Sequence, residues 1–317
     1  MSIAFIFPGQ GSQSVGMGRD LAAAFAPARE VFQEVDDTLQ LKLSKIMFDG
    51  PPEALTLTEN AQPALMAHAL AVLRVLEQEG GFRLADRAVV VAGHSLGEYA
   101  ALAAAGSFGT ADAARLLRLR GEAMQRAVPT GVGAMAALLG ADMGLAHEIC
   151  AAAADGPDGR EVVEPANDNG GGQVVISGHR AAVERAVEIS KSRGVKRAML
   201  LPVSAPFHCA LMASAADAMR AALDSAPPRP PELPLVANVS ARKETDPAEI
   251  ARLLVRQVTA TVRWRESVLA MVALGVDSFV EVGAGKVLAG LVKRIAPDAR
   301  AASVGTAADI ELFLKTI

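Results

Sequence analysis

The chain has little cysteine. Two in 317 residues, Cys150 and Cys209, are too few for a disulfide framework, and no cysteine spacing suits a metal. Long apolar runs are missing too, and nothing approaches the ~20 residues of a membrane-spanning helix. No basic block occurs. Lys and Arg number 31 against 35 Asp and Glu, a formal net charge of −4, which argues against general affinity for nucleic acid. The opening MSIAFIFPGQG has no basic region, and Pro8 interrupts its apolar stretch, so no secretory leader is expected. What is present is 51% apolar and 21% charged residues, a balance that suits a soluble globular protein with a large core. Cytoplasmic residence is the default expectation. The length calls for one large domain with an insertion, or for two domains.

Residues 2–7 (SIAFIF) read as a short buried strand, followed by a Gly-rich turn and a helix from about Asp20 to Leu39. Two further helical stretches surround Pro51, Pro52 and Pro63. The second carries Leu65, Ala69, Val72, Leu73 and Leu76 at helical spacing. A strand at 88–92, a helix from Glu98 and a helix over 111–127 come next. The pattern then changes. Strand 134–139, helix 143–154, strands 161–166 and 173–178, helix 180–193 and strand 196–203 give the order β-α-β-β-α-β of a ferredoxin-like unit. A strand at 235–239 follows the Pro-rich loop 227–234, and another at 277–282 ends in GAGK. The expected fold is α/β. A hydrolase-like large domain with a mostly parallel sheet spans 1–131 and 203–317, and an inserted ferredoxin-like α+β subdomain spans 132–202.

Gly93-His94-Ser95-Leu96-Gly97 is a G-x-S-x-G sequence between the strand run VVVA and a helical stretch. In that setting the glycines allow a tight turn that lifts Ser95 above a sheet, and the N–H of Leu96 faces a developing oxyanion. The pentapeptide alone is a weak signal, and an incidental turn serine is the bland alternative. A serine hydroxyl needs a base. Of five histidines, His94 is too close in the chain to face Ser95 and is expected to pack beside the turn. His68 and His147 lie within helical patterns, and His179 stands where a helix cap is expected. His208 follows a strand end and a Pro-containing loop, where α/β sites form, so it is the candidate base, with helix capping as the alternative.

Two polar residues occupy apolar positions. Arg120, four residues after Leu116 and four before Met124, falls on a helix seam, and Gln257 shares a face with Leu253 and Leu254. An inward arginine needs an anion. The alternative is a side chain that lies along the seam and reaches water.

Taken together, FPGQGSQ (7–13), TENAQPAL (58–65), GHSLGEY (93–99), RLRGEAMQ (118–125), ANDNGGGQVVISG (166–178), PVSAPFHCALM (202–212), LVRQVTATVRW (254–264) and EVGAGKVL (281–288) closely resemble the malonyl-CoA:acyl carrier protein transacylase family of type II fatty acid synthesis. The resemblance implies that Ser95 is acylated and that His208 is the base. It implies an oxyanion hole from the backbone N–H groups of Gln10 and Leu96, and that Arg120 holds the malonyl carboxylate. It places Gln257 where a backbone carbonyl orients the histidine, and Asn167 in the active site. Leu96 and Phe207 match malonyl-selecting choices. It also implies malonyl-CoA and acyl carrier protein as substrates, no metal or redox cofactor, and a monomer. Many relatives carry a proline where this chain has Gly171 or Gly172.

Other readings weighed are an α/β-hydrolase esterase, a carrier-docking module without catalysis, and an acyltransferase of polyketide synthesis or malonate decarboxylation. The esterase reading expects an acid between serine and histidine, and an HGGG-type motif that is missing here. Carrier proteins are usually acidic, so 191–197 (KSRGVKR) or the group Lys286, Lys293 and Arg294 are candidate docking patches.

Overall fold

The run IAFIF forms β1 (Ile3–Phe7), an inner strand of a six-stranded sheet. Phe5 and Phe7 pack into one hydrophobic cluster, and Ala4 and Ile6 into another on the opposite face. A strand covered on both faces must be apolar throughout, which is why this segment shows no polar alternation. The structure, a computed structural model, describes residues 2–81, 83–157 and 159–315.

Helices follow as α1 (Arg19–Ala24) and α2 (Ala26–Leu39), where one helix was expected. The break falls at Phe25, which is extended, just before Pro27. Proline has no N–H to donate back to the Ala23 carbonyl, which accepts from Arg29 Nη1 at 3.4 Å instead. After α3 (Leu43–Asp49) and α4 (Pro52–Thr56), α5 (Thr58–Gly80) runs straight through Pro63. The Glu59 carbonyl that Pro63 cannot reach accepts instead from Arg118 Nη1 at 3.4 Å. The short α6 (Leu84–Arg87) leads to β2 (Ala88–Gly93), α7 (Gly97–Ala104) and α8 (Thr110–Ala127).

The next elements are β3 (Gly133–Leu139), α9 (Met143–Ala153), a small pair β4 (Asp155–Gly156) and β5 (Gly159–Arg160), β6 (Val163–Asp168), β7 (Gln173–His179), α10 (Arg180–Ser192) and β8 (Arg197–Leu200). Strands β6-β7-β3-β8 form an antiparallel sheet with a core of its own, built on residues such as Leu138, Ile149, Ile176 and Val183. That strand order is the ferredoxin-like one; among the described residues the β4–β5 pair is additional. The β6–β7 turn carries positive φ at Gly170, Gly171 and Gly172, of 70°, 58° and 73°. Proline, held near −65°, cannot adopt those values, so the glycines are required by this turn as it is built.

The chain returns through α11 (Ala213–Ser225), β9 (Leu235–Val236), β10 (Lys243–Glu244), α12 (Pro247–Gln257), α13 (Trp264–Ala273), β11 (Ser278–Val282), α14 (Val287–Ile295), β12 (Arg300–Val304) and α15 (Ala307–Leu314). The large sheet runs β10-β9-β2-β1-β11-β12, parallel except for β10 at one edge. Buried Glu281 in β11 accepts from the N–H groups of Leu288 and Ala289 at 3.1 and 2.8 Å, tying the end of β11 to the start of α14. Among the described residues no helix is long and apolar enough to cross a membrane.

Candidate active site

Strand β2 ends at Gly93 and α7 begins at Gly97, and the turn between them leaves no room for a side chain at either. A Cβ on Gly93 would lie 1.9 Å from the Gly97 carbonyl oxygen, and one on Gly97 would lie 2.2 Å from that of Phe7. Ser95, at the tip, has φ of 54°, in the left-handed region that non-glycine residues rarely occupy. Asn238 braces the tip. Its amide donates to Gly93 O at 2.7 Å and accepts from the Ser95 N–H at 2.7 Å. The strand expected over 235–239 therefore stops at Val236, and Asn238 serves the turn.

His208 stands opposite, with Nε2 2.8 Å from Ser95 Oγ. Its Nδ1 lies 2.8 Å from the Gln257 carbonyl oxygen, which can only accept, so Nδ1 carries the proton and Nε2 is free to take one. Burial, reinforced by the Arg120 charge, lowers the imidazole to about 3, so it is neutral when it meets the serine. The loop bearing His208 leaves β8, which belongs to the small antiparallel sheet. The crevice thus joins the two sheets, and the strand before this loop belongs to the ferredoxin-like unit, as the β-α-β-β-α-β order of the sequence implies. His208 also has a positive φ, 59°.

Gln10 and Leu96 both line the cavity beside Ser95. Among the described residues neither backbone N–H has an acceptor within the protein, whereas the Ser95 N–H is already engaged by Asn238. Gly9 brings the first loop close, since a Cβ there would meet His94 O at 2.8 Å.

Arg120 is only 1% exposed and points inward, so the stem-on-the-seam alternative does not apply. Helix α8 can approach α5 closely because Gly121 has no side chain; a Cβ there would lie 2.5 Å from Glu59 Cα. Arg120 Nη1 donates to Gln62 Oε1 at 2.7 Å, and Nη2 donates to Gln257 Oε1 at 2.7 Å and to Ser95 Oγ at 3.1 Å. No carboxylate hydrogen-bonds to the guanidinium among the described residues. The carboxyl that acts on it electrostatically is Glu98, itself 1% exposed, which donors on Gln257 and Asn238 hold one residue away. Burial lowers the Arg120 pKa, and Tyr99 and Glu98 partly offset this.

Ser95, His208 and Arg120 share one cavity of about 510 Å³ with Asn167 and Phe207. The Asn167 amide has no partner among the described residues, and Phe207 packs beside His208 in the wall. Gln257 is fully buried behind this wall and reaches the cavity only through the residues it holds. Of the other histidines, His94 bonds Asn169 Oδ1 at 2.9 Å and packs against Trp264 beside the turn, as expected. His179 precedes α10 without capping it; its Nδ1 accepts from the Val162 N–H. His68 is buried in α5, which lowers it to about 4. His147 is exposed on α9. Glu98, Asn238 and Gln62 had not been singled out from the sequence. Glu98 and Gln62 lie within the quoted motifs, but nothing in their spacing marks them as inward.

A hydroxyl hydrogen-bonded to an oriented neutral imidazole, with two free amides beside it and a buried guanidinium in contact, is the equipment of a serine acyltransferase. The chain belongs to the acyl transferase domain family, which matches residues 4–312. It is 44% identical over 315 residues to the malonyl CoA-acyl carrier protein transacylase of Bacillus subtilis (strain 168), covering 99% of this chain and 97% of that one. The protein of the same name from Escherichia coli (strain K12) is 48% identical over 292 residues, 92% of each chain. The crystal structure of an acyl-carrier-protein S-malonyltransferase from Bartonella henselae superposes with a TM-score of 0.96 at 55% identity, covering 100% of this chain and 99% of that one. A malonyl-transacylase in complex with a type II polyketide acyl carrier protein superposes at 0.95 with 42% identity, covering 100% of both chains.

Proposed function

We infer that this chain moves a malonyl group from malonyl-CoA to the phosphopantetheine thiol of acyl carrier protein, through a malonyl ester on Ser95, and so supplies fatty acid synthesis. The observation that carries the reading is that one hydroxyl touches both an imidazole and a guanidinium: Ser95 Oγ is 2.8 Å from His208 Nε2 and 3.1 Å from Arg120 Nη2.

His208 takes the Ser95 proton as Oγ attacks the thioester carbonyl. The oxyanion that forms is held by the Gln10 and Leu96 N–H groups. The C–S bond breaks and His208 returns the proton to the departing thiolate. The carrier's thiol then attacks the Ser95 ester by the same steps in reverse, which gives ping-pong kinetics. Arg120 receives the distal carboxylate bidentately, a fit that an acetyl group cannot make. Asn167 and Phe207 shape the acyl end of the cavity. Gln257 acts from behind, through His208 and Arg120. Every step uses a group of this chain, so the proposal includes no metal or redox cofactor, and the site is complete in a single copy. We place the inserted subdomain at 132–202, in agreement with the separate antiparallel sheet and its own core.

Lys286 and Lys293 are exposed, and Arg294 lies on the cavity rim; none of the three has an ion-pair partner among the described residues. In 191–197, Lys191 is paired with Glu188 and Arg193 with Glu148, which leaves Lys196 and Arg197 without an ion-pair partner among the described residues. The group of Lys286, Lys293 and Arg294, unpaired throughout and reaching the cavity rim, is the better acceptor for an acidic carrier.

A polyketide carrier as recipient has one observation in its favour, the 42% identical transacylase solved with such a carrier. The deciding experiment is the intact mass of the protein after exposure to malonyl-, methylmalonyl- and acetyl-CoA, alone and with fatty acid or polyketide carrier. A malonyl adduct on Ser95 that passes to the fatty acid carrier supports the reading. Rapid net hydrolysis without carrier would instead point to an esterase.

A further inference from the structure

Gln257 is the hub of the site. Its side-chain NH2 faces the Glu98 carboxyl and the Ser95 carbonyl oxygen, the latter at 3.0 Å; its Oε1 faces Arg120 Nη2; and its main-chain carbonyl faces His208 Nδ1. An amide in such a place can be flipped, with NH2 and oxygen exchanged. The flipped form would present NH2 to a guanidinium that only donates.

We propose that Glu98 is a positioning residue that, as the one carboxylate on the Gln257 amide among the described residues, fixes its orientation and so keeps Arg120 aimed and free for the substrate carboxylate, and that Glu98 thereby strengthens the preference for malonyl over acetyl groups. The proposal rests on the reading of Arg120 given above. Both Glu98 oxygens meet N–H donors, Oε2 that of Gln257 and Oε1 that of Asn238 at 3.3 Å, so an ionised carboxylate fits the place. The glutamine also acts as a spacer. A carboxylate in direct contact with Arg120 would compete with the substrate for the fork, whereas one placed behind a neutral amide offsets the buried charge and leaves the fork open. Burial opposes this ionisation and pushes Glu98 up to about 7, against the hydrogen bonds from Gln257 and Asn238 and the attraction of Arg120. Arg120 on α8 and Tyr99 on α7 are the charged or titratable groups that interact with it. Protonation would place an O–H against an N–H donor and release the amide.

The test is Glu98→Gln, which keeps the shape and removes the acceptor-only character. Ser95 acylation by malonyl-CoA and by acetyl-CoA would be measured, with labelling by a neutral fluorophosphonate to report the reactivity of Ser95 without a substrate carboxylate. The malonyl-to-acetyl ratio of kcat/KM should fall about tenfold, the worth of one charge-assisted hydrogen bond, with fluorophosphonate labelling little changed. An unchanged ratio, or loss of labelling in step with malonyl transfer, would overturn the proposal. In the unmodified enzyme the same ratio should fall as pH drops below about 7. If the variant does not fold, a flat ratio in this series overturns the idea by itself. Arg120→Ala, run alongside, separates the two readings. If it leaves the ratio intact, Arg120 does not read the carboxylate; if it lowers the ratio and Glu98→Gln does not, only the role of Glu98 fails.

Discussion

Ser95 and His208 meet at 2.8 Å, and both hold left-handed backbone conformations, with φ of 54° and 59°. Neither residue type favours that region, and each such residue costs of order 1–3 kcal/mol that the surrounding contacts must offset. Asn238 supplies one such contact by gripping the turn on both sides of Ser95.

Strain at Ser95 can be separated from its chemistry. Ser95→Ala and Ser95→Gly should both abolish the malonyl adduct. The glycine variant should nevertheless be the more stable of the two by about 1 kcal/mol, because glycine adopts positive φ without a Cβ clash. Denaturant midpoints of the two variants check this. An alanine variant equal to or more stable than the glycine variant would show that the turn is relaxed, and a malonyl adduct on another residue would remove Ser95 as the nucleophile.

Arg120→Ala should reduce malonyl transfer about a hundredfold through loss of a bidentate, charge-assisted contact. Acetyl transfer should decline far less, since acetyl offers no partner for the guanidinium. Equal losses for both substrates would assign Arg120 to support of the fold, or of Ser95 Oγ, which it also touches.

His208 makes a prediction about pH. Its conjugate acid is lowered from 6.5 to about 3, chiefly by burial and next by Arg120. The reactive neutral form should therefore persist as acid is added, and fluorophosphonate labelling of Ser95 should stay level from about pH 8 to about pH 5. An acid limb centred near 6.5 would mean the imidazole titrates freely. The stability that goes with this shift has a definite sign. The folded value lies below the unfolded one, so the contribution is complete above 6.5 and is lost as pH falls towards about 3.

The unpaired cations at the rim concern the carrier alone. Replacing Lys286, Lys293 and Arg294 together by alanine should raise KM for acyl carrier protein about tenfold at low salt. KM for malonyl-CoA should stay within about twofold, and most of the salt sensitivity of the carrier step should disappear. Steady-state kinetics at two ionic strengths would show it. A salt-sensitive carrier KM that survives the triple change places the docking surface elsewhere.

Much of this site could be read along the chain. The elbow is legible because it is local: strand, glycine, serine, glycine and helix lie within a few residues, and each imposes its own steric demand. Arg120 was visible as a misplaced charge on an apolar seam, although the seam alone left two destinations open. His208 was nominated by its loop after the last strand of the ferredoxin-like unit, yet that this loop faces Ser95 from across the crevice is a matter of packing that no local pattern reveals. Phe25 and Pro63 show the limit for helices. One proline accompanies a break and the other sits inside a continuous helix, and the difference lies in which distant or neighbouring side chain takes up the freed carbonyl. Glu98, Asn238 and Gln62 left no periodic trace, since each matters through a partner far away in sequence.

The linear order of residues determined the alternation of strands and helices, the shape of the nucleophile's turn and the residue types available for acyl transfer, because those follow from backbone sterics and burial over short spans. Folding alone decided that an imidazole from the loop after β8, oriented by a carbonyl at the end of α12, and a guanidinium from α8 converge on one hydroxyl. Hydrogen bonds act over about 3 Å, and only packing of the two sheets brings residues more than a hundred positions apart within that reach.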